Sequence, residues 1–214
     1  MKISNILSAL LLGSIVVFSG CGNNDNSDTV YTYSVKVINL TAGQKMSPIL
    51  VSSSSLFSVG ESASVGLEKL AEGGDNSALL DANSVSGTKA IIPSDSDTVS
   101  LNTKTQMLSI ASMLVKTNDG FAGLSSFNVS SLAVNGNTTA YLHAYDAGTE
   151  ANSETSTTVA GIGGEGYNPA RETLNMVSVH SGIISKDDGL VSSALTSMER
   201  FDNPVAIAVI TRTK

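Results

Sequence analysis

The 214 residues suffice for one domain with a sizeable core, or for a small domain with a tail. Only 14% are charged and 5% aromatic, with no Trp, while Ser, Thr, Val and Gly are plentiful; that balance favours short strands and loops over long surface helices. The net charge of -7 excludes a nucleic-acid partner, because no basic patch can neutralise phosphates, and suits a cation instead.

Met1-Lys2 followed by the apolar run Ile6 to Phe18 reads as a secretory signal, too short to span a bilayer comfortably. It ends at Phe18-Ser19-Gly20-Cys21, which resembles a bacterial lipobox with Phe18 where that pattern prefers Leu. Cys21 is the only cysteine, so it cannot form an internal disulfide, and lipid attachment is the simplest use for it in an exported chain. The chain then divides into a lipoprotein signal peptide at residues 1–20, a flexible Asn-rich tether at 21–30 and a domain at 31–214. Gly22 is not the aspartate that bacterial sorting associates with inner-membrane retention, which points to the outer membrane, on its periplasmic or surface face.

Tyr31 to Ile38 alternates with period two and predicts a half-buried strand. Ser47-Pro48-Ile49-Leu50-Val51 is a second, short strand, with Pro48 confining it to an edge or a strand start. From Ser62 to Glu72, Val65, Leu67, Leu70 and Ala71 fall roughly on one side of a helix that stops at Gly73-Gly74, and Asn76 to Asp81 adds another turn. Ala90-Ile91-Ile92, closed by Pro93, and Val99 to Thr105 are further strands. Leu108 to Val115 is a nearly continuous apolar run, as expected of a strand buried on both faces. Asn135-Gly136, between the strand-like Phe127 to Val134 and Thr138 to Tyr145, predicts a hairpin. Thr149 to Ala170 is a long polar, glycine-rich loop, and Leu174 to His180 and Val205 to Ile210 supply the last strands. The count is about eight strands joined mostly by short turns: an all-β, antiparallel sandwich with one or two short helices near 62–82.

Two strands end in acidic, glycine-bearing breaks, at Lys116-Thr117-Asn118-Asp119-Gly120 and at Asp146-Ala147-Gly148-Thr149-Glu150. Pairing them brings Asp119, Asp146 and Glu150 to one rim. Solvation is the commonest fate of loop carboxylates; the sharper alternative is a calcium site, in which carboxylates, carbonyls and water supply six to eight oxygens. Other motifs are weaker. Gly161-Ile162-Gly163-Gly164-Glu165-Gly166 matches a dinucleotide fingerprint by letter but lacks the strand and helix that would flank it. Ser86-Gly87-Thr88-Lys89 lacks the companions that make such a lysine a base. His143 and His180, the only histidines, come with no nucleophile elbow and too few partners for zinc. Asp187-Asp188-Gly189 reads as a polar surface turn.

Phe57-Ser58-Val59-Gly60-Glu61-Ser62-Ala63-Ser64, Gly66-Leu67 with Leu70-Ala71-Glu72, Ala111-Ser112-Met113-Leu114-Val115 with Asn118-Asp119, and Tyr145-Asp146-Ala147-Gly148-Thr149-Glu150 together resemble the spondin domain, in order over about Tyr31 to Thr213. The resemblance implies an eight-stranded sandwich, similar to the calcium-binding sandwiches of synaptotagmin and protein kinase C, with calcium at one end on Asp119, Asp146 and Glu150. Gly120 stands where animal members carry an aromatic residue, their cysteines are absent, and an acidic ligand of the preceding strand has no counterpart near Ser100. The expected function is a calcium-binding adhesion or binding module without catalytic activity, held to the membrane through lipidated Cys21 and presenting its rim to an extracellular or envelope protein or glycan. The alternative is a structural envelope lipoprotein of the same fold without a functional metal.

Overall fold

The computed structural model describes residues 29–171 and 175–214; the expected signal segment, Cys21 and the tether up to residue 28 lie outside them, as does Leu174. The described residues form nine strands: β1 (Tyr31–Asn39), β2 (Leu50–Ser52), β3 (Ser84–Ser86), β4 (Ser96–Thr103), β5 (Met107–Met113), β6 (Gly120–Asn128), β7 (Asn137–Asp146), β8 (Ser178–Val179) and β9 (Ala206–Arg212). They pair antiparallel in the order β3-β2-β5-β6-β7-β9-β1-β4, with β8 beside β7. β7 belongs to both layers. Its first part, Asn137–Leu142, pairs with β9, and its last residues, His143–Asp146, pair with β6. The sheet thereby folds over into a nearly closed, sandwich-like all-β unit.

Period-two alternation sets the inner faces. Tyr33, Val35 and Val37 of β1, Val99 and Leu101 of β4, and Ala208 and Ile210 of β9 pack with Val51, Leu108, Ile110 and Ala122 in the main core. β5 is buried at every position after Met107 because its other face is covered too. The cover is α1 (Val65–Gly73), whose Leu67, Leu70 and Ala71 pack with Ala111 of β5, Phe121 of β6 and Leu50 of β2. Ser64 starts the helix, its side chain accepting from the Leu67 N–H at 3.1 Å, a cap worth about 1 kcal/mol. Gly74, at φ 72°, ends it in the left-handed conformation glycine tolerates best. A single 3₁₀ turn, Ser77–Leu79, follows, so the two helical pieces expected near 62–82 are both present. Among the described residues, no helix is long and apolar enough to cross a membrane.

Three local expectations are corrected. The short strand at Ser47–Val51 shifts to Leu50–Ser52, because Pro48 keeps the preceding residues out of the ladder. Ala90–Ile92 is not a strand; only Ile91 bridges, to Met46. The Asn135-Gly136 turn forms, with the Gly136 N–H donating to Ala133 O at 2.9 Å, but it closes no hairpin with the preceding segment. The strand that follows pairs with β9 instead, Asn137 standing opposite Thr211, since it crosses to the other layer.

Candidate cation site

β5 and β6 are joined by a tight turn that Thr117 closes. Its Oγ1 donates to Leu114 O at 2.7 Å and accepts from the Gly120 N–H at 2.9 Å. The turn carries Asn118 and Asp119 into the interior, and Asp119 is 0% exposed. From the other side comes the segment after β7. Asp146 Oδ1 accepts from the Gly148 N–H at 2.8 Å and bends the chain, and Gly148 sits at φ 70°, where any side chain would strike the Met176 backbone. The bend aims two amides at Asp119. Its Oδ2 accepts from the Thr149 N–H at 2.7 Å, the Glu150 N–H at 3.1 Å and Thr149 Oγ1 at 3.3 Å, while Asp119 O accepts from the Ala147 N–H at 3.2 Å. Asn118 ties the same segments together: Nδ2 donates to Glu150 Oε1 at 3.0 Å and Oδ1 accepts from the Glu154 N–H at 3.1 Å.

Among the described residues, no cationic side chain forms an ion pair with Asp119 or Glu150. Asp119 Oδ1 and Glu150 Oε2 are buried with no hydrogen-bond partner among the described residues, and so is Glu72 Oε1 on α1. Burial, reinforced by the charge of Asp146, pushes Asp119 up to about 6 despite its three donors. Burial likewise pushes Glu150 up to about 7 against the Asn118 bond, with the charges of Glu72, Asp119 and Glu165 adding to it. Glu72 is raised, chiefly by burial.

Of the three expected ligands, Asp119 and Glu150 are joined directly through the loop amides, and each keeps an unpartnered oxygen. Asp146 stands opposite Gly120 in the β6–β7 pair, and both its oxygens accept hydrogen bonds, Oδ1 as above and Oδ2 from Asn152 Nδ2 at 2.7 Å. Among the described residues, no three His, Cys, Asp or Glu side chains stand as a ready-made metal cluster. Sequence reasoning passed over Glu72 and Glu154. The signal for Glu72 was a carboxylate in the last turn of the predicted helix, just before Gly73-Gly74, where the helix dipole disfavours it. Glu154 gave none: it is buried at φ 59° in a loop, its Oε1 accepting from the Ile184 N–H at 3.2 Å, and burial pushes it up to about 7.

The remaining motifs resolve structurally. His180 is buried against Phe201, its Nδ1 accepting from the Gly182 N–H at 3.0 Å, and its ring fills the space where a Cβ at Gly120 would lie 2.9 Å from Cδ2. His143 is exposed on β7. Gly161 to Gly166 begins inside a 3₁₀ turn, Ala160–Ile162, in which Gly161 packs on Val115 with no room for a Cβ. Lys89 pairs with Asp95 at 2.8 Å, and Ser86 accepts from Asn76 Nδ2 at 2.9 Å. Asp187 and Asp188 are occupied by local donors and by Arg200.

No protein-family model matches the chain, and no curated protein matches it either.

Proposed function

We propose that this chain is a lipid-anchored binding module of the spondin type, with Cys21 as anchor and a calcium ion at the rim held by Asp119 and Glu150. Asp146 lies alongside, bending the loop and adding its negative charge. The observation that carries the reading is the pair of buried oxygens, Asp119 Oδ1 and Glu150 Oε2, that have no hydrogen-bond partner among the described residues, on two carboxylates that form no ion pair with a described cation. An unpaired buried carboxylate is costly, and an all-oxygen donor set suits a hard cation such as calcium better than zinc. Bound there, calcium supplies the missing positive charge and holds loops 117–119 and 147–154 in register. In an exported protein its dissociation constant would be about 10⁻⁴–10⁻³ M. The ordered rim then presents residues 151–167 to an extracellular or envelope protein or glycan.

A second reading, a structural envelope lipoprotein without functional metal, is favoured by the lack of a ready-made three-ligand cluster among the described residues and by the internal bonding of Asp146. Calorimetric titration of the full chain in detergent separates the two. Saturable calcium heat that disappears in Glu150→Ala supports the module; no heat at millimolar calcium leaves the structural lipoprotein.

A further inference from the structure

The strand register gives the sandwich two unlike ends. β1 enters at Tyr31, opposite Thr103 of β4; Arg212 of β9 stands opposite Tyr33, and β7 starts at Asn137, opposite Thr211. The rim lies at the other end of the same strands, where Asp146 stands opposite Gly120. Between the two ends β7, Asn137–Asp146, spans about 30 Å.

Charge divides between these ends. The segments that make up the entry end, residues 29–33, 101–107, 126–138 and 211–214, hold Lys104, Arg212 and Lys214 and not one Asp or Glu, in a chain whose net charge is -7. Asp81 stands beyond them, in the loop ahead of β3. The cations gather where the chain enters. Arg212 lies over the Tyr31 ring, 4.8 Å from its centroid, and its Nε donates to Lys214 O at 3.0 Å. Lys104 follows Thr103, the partner of Tyr31 in the ladder. The same segments expose three apolar side chains: Val30 ahead of β1, Met107 at the start of β5, and Val134, 51% exposed, beside Asn135, whose N–H donates to Arg212 O at 2.7 Å. Cations next to exposed apolar side chains suit an anionic lipid surface, where headgroups meet the charges and the apolar tips reach toward the acyl boundary.

Resting on the lipid-anchor reading above, we propose that this entry end docks on an anionic membrane surface, so that the rim points away from it. The chain from Cys21 to Tyr31 reaches at most about 35 Å, and it joins the domain at this end, which the anchor therefore brings to the headgroups first. A few cations bind lipid weakly by themselves, but tethering makes the contact intramolecular, and a weak dock then suffices.

The test reconstitutes the full chain in vesicles of phosphatidylcholine alone or of equal parts phosphatidylcholine and phosphatidylglycerol, and follows amide exchange at residues 104–107 and 132–136 and, at the rim, 147–150. The mass of the Cys21 peptide reads its lipid. The expected result is exchange slowed by about tenfold at the entry end on phosphatidylglycerol only, reversed by high salt, with the rim unchanged. The double variant Val134→Asp, Lys214→Glu alters two exposed side chains; it should melt as wild type in detergent and lose the protection. A lipidated chain whose entry end exchanges alike in both vesicles, or whose rim is protected in its place, overturns the dock and keeps the anchor. A chain without lipid at Cys21 whose entry end is still protected on phosphatidylglycerol overturns the anchor and keeps the dock; neither lipid nor protection overturns both.

Discussion

Two acidic regions of this molecule use the same residue types to opposite effect. Around residues 185–200 every carboxylate is answered from within the chain. Asp188 Oδ2 accepts from Ser185 and its Oδ1 meets Arg200 at 3.0 Å, Asp187 accepts from the Ser197 N–H, and Glu199 meets Lys116 at 2.7 Å and the Thr196 N–H at 2.8 Å. Although burial works to raise it, these partners hold Glu199 down to about 2. Around residues 117–154, Asp119, Glu150 and Glu154 are buried too, yet the partners they meet are amides and a hydroxyl, and they shift the other way. Acidic residues in a loop thus mean little by count; a candidate site is where burial is not matched by positive charge.

The comparison is broken most strongly at Asp119. Asp119→Ala strands the Thr149 and Glu150 amides and should cost about 3 kcal/mol in calcium, read by urea melts, with calcium binding abolished. Glu150→Gln sharpens the contrast by removing charge while keeping size. In chelator it should stabilise by about 1 kcal/mol, because an unpaired buried charge is gone, and it should cancel any calcium-dependent rise in melting temperature.

Acidity separates the regions by sign. Asp119, Glu150 and Glu154 have folded values raised to about 6, 7 and 7, from 3.8, 4.5 and 4.5. Their contribution is full below the unfolded values and is lost as pH rises through 6–7. In chelator the protein should therefore become more stable from pH 8 down to pH 5, and calcium should flatten that slope. Glu199 behaves oppositely: its stabilisation is present above about 4.5 and lost as pH falls toward 2. Chemical denaturation at stepped pH reads both windows. The smallest effect is expected for Arg200→Ala, whose exposed pair with Asp188 is worth under about 1 kcal/mol and whose loss should leave calcium binding untouched.

The sandwich was legible because its strands follow simple periodicities. Tyr33, Val35 and Val37 alternate, and the unbroken run after Met107 announced cover on both faces. β6 was largely missed: Phe121-Ala122-Gly123-Leu124 has no alternation and a mid-strand glycine, which is required because a Cβ there would meet Phe57 and Tyr145. Asp119 and Glu150 could be anticipated from acidic breaks after strands. That Asp146 would spend its oxygens on Gly148 and Asn152, and that Glu72 would accept from the Asn168 N–H, depend on loop conformation and helix docking, which spacing does not encode.

The most direct test of the central claim, that the rim carboxylates are balanced by an ion, is the melting temperature of the full chain at pH 8 in 10 mM calcium and in chelator. With a dissociation constant of about 10⁻⁴–10⁻³ M, linkage predicts a rise of roughly 3–10 °C in calcium, absent in Asp119→Asn. Superimposable wild-type melts would contradict it.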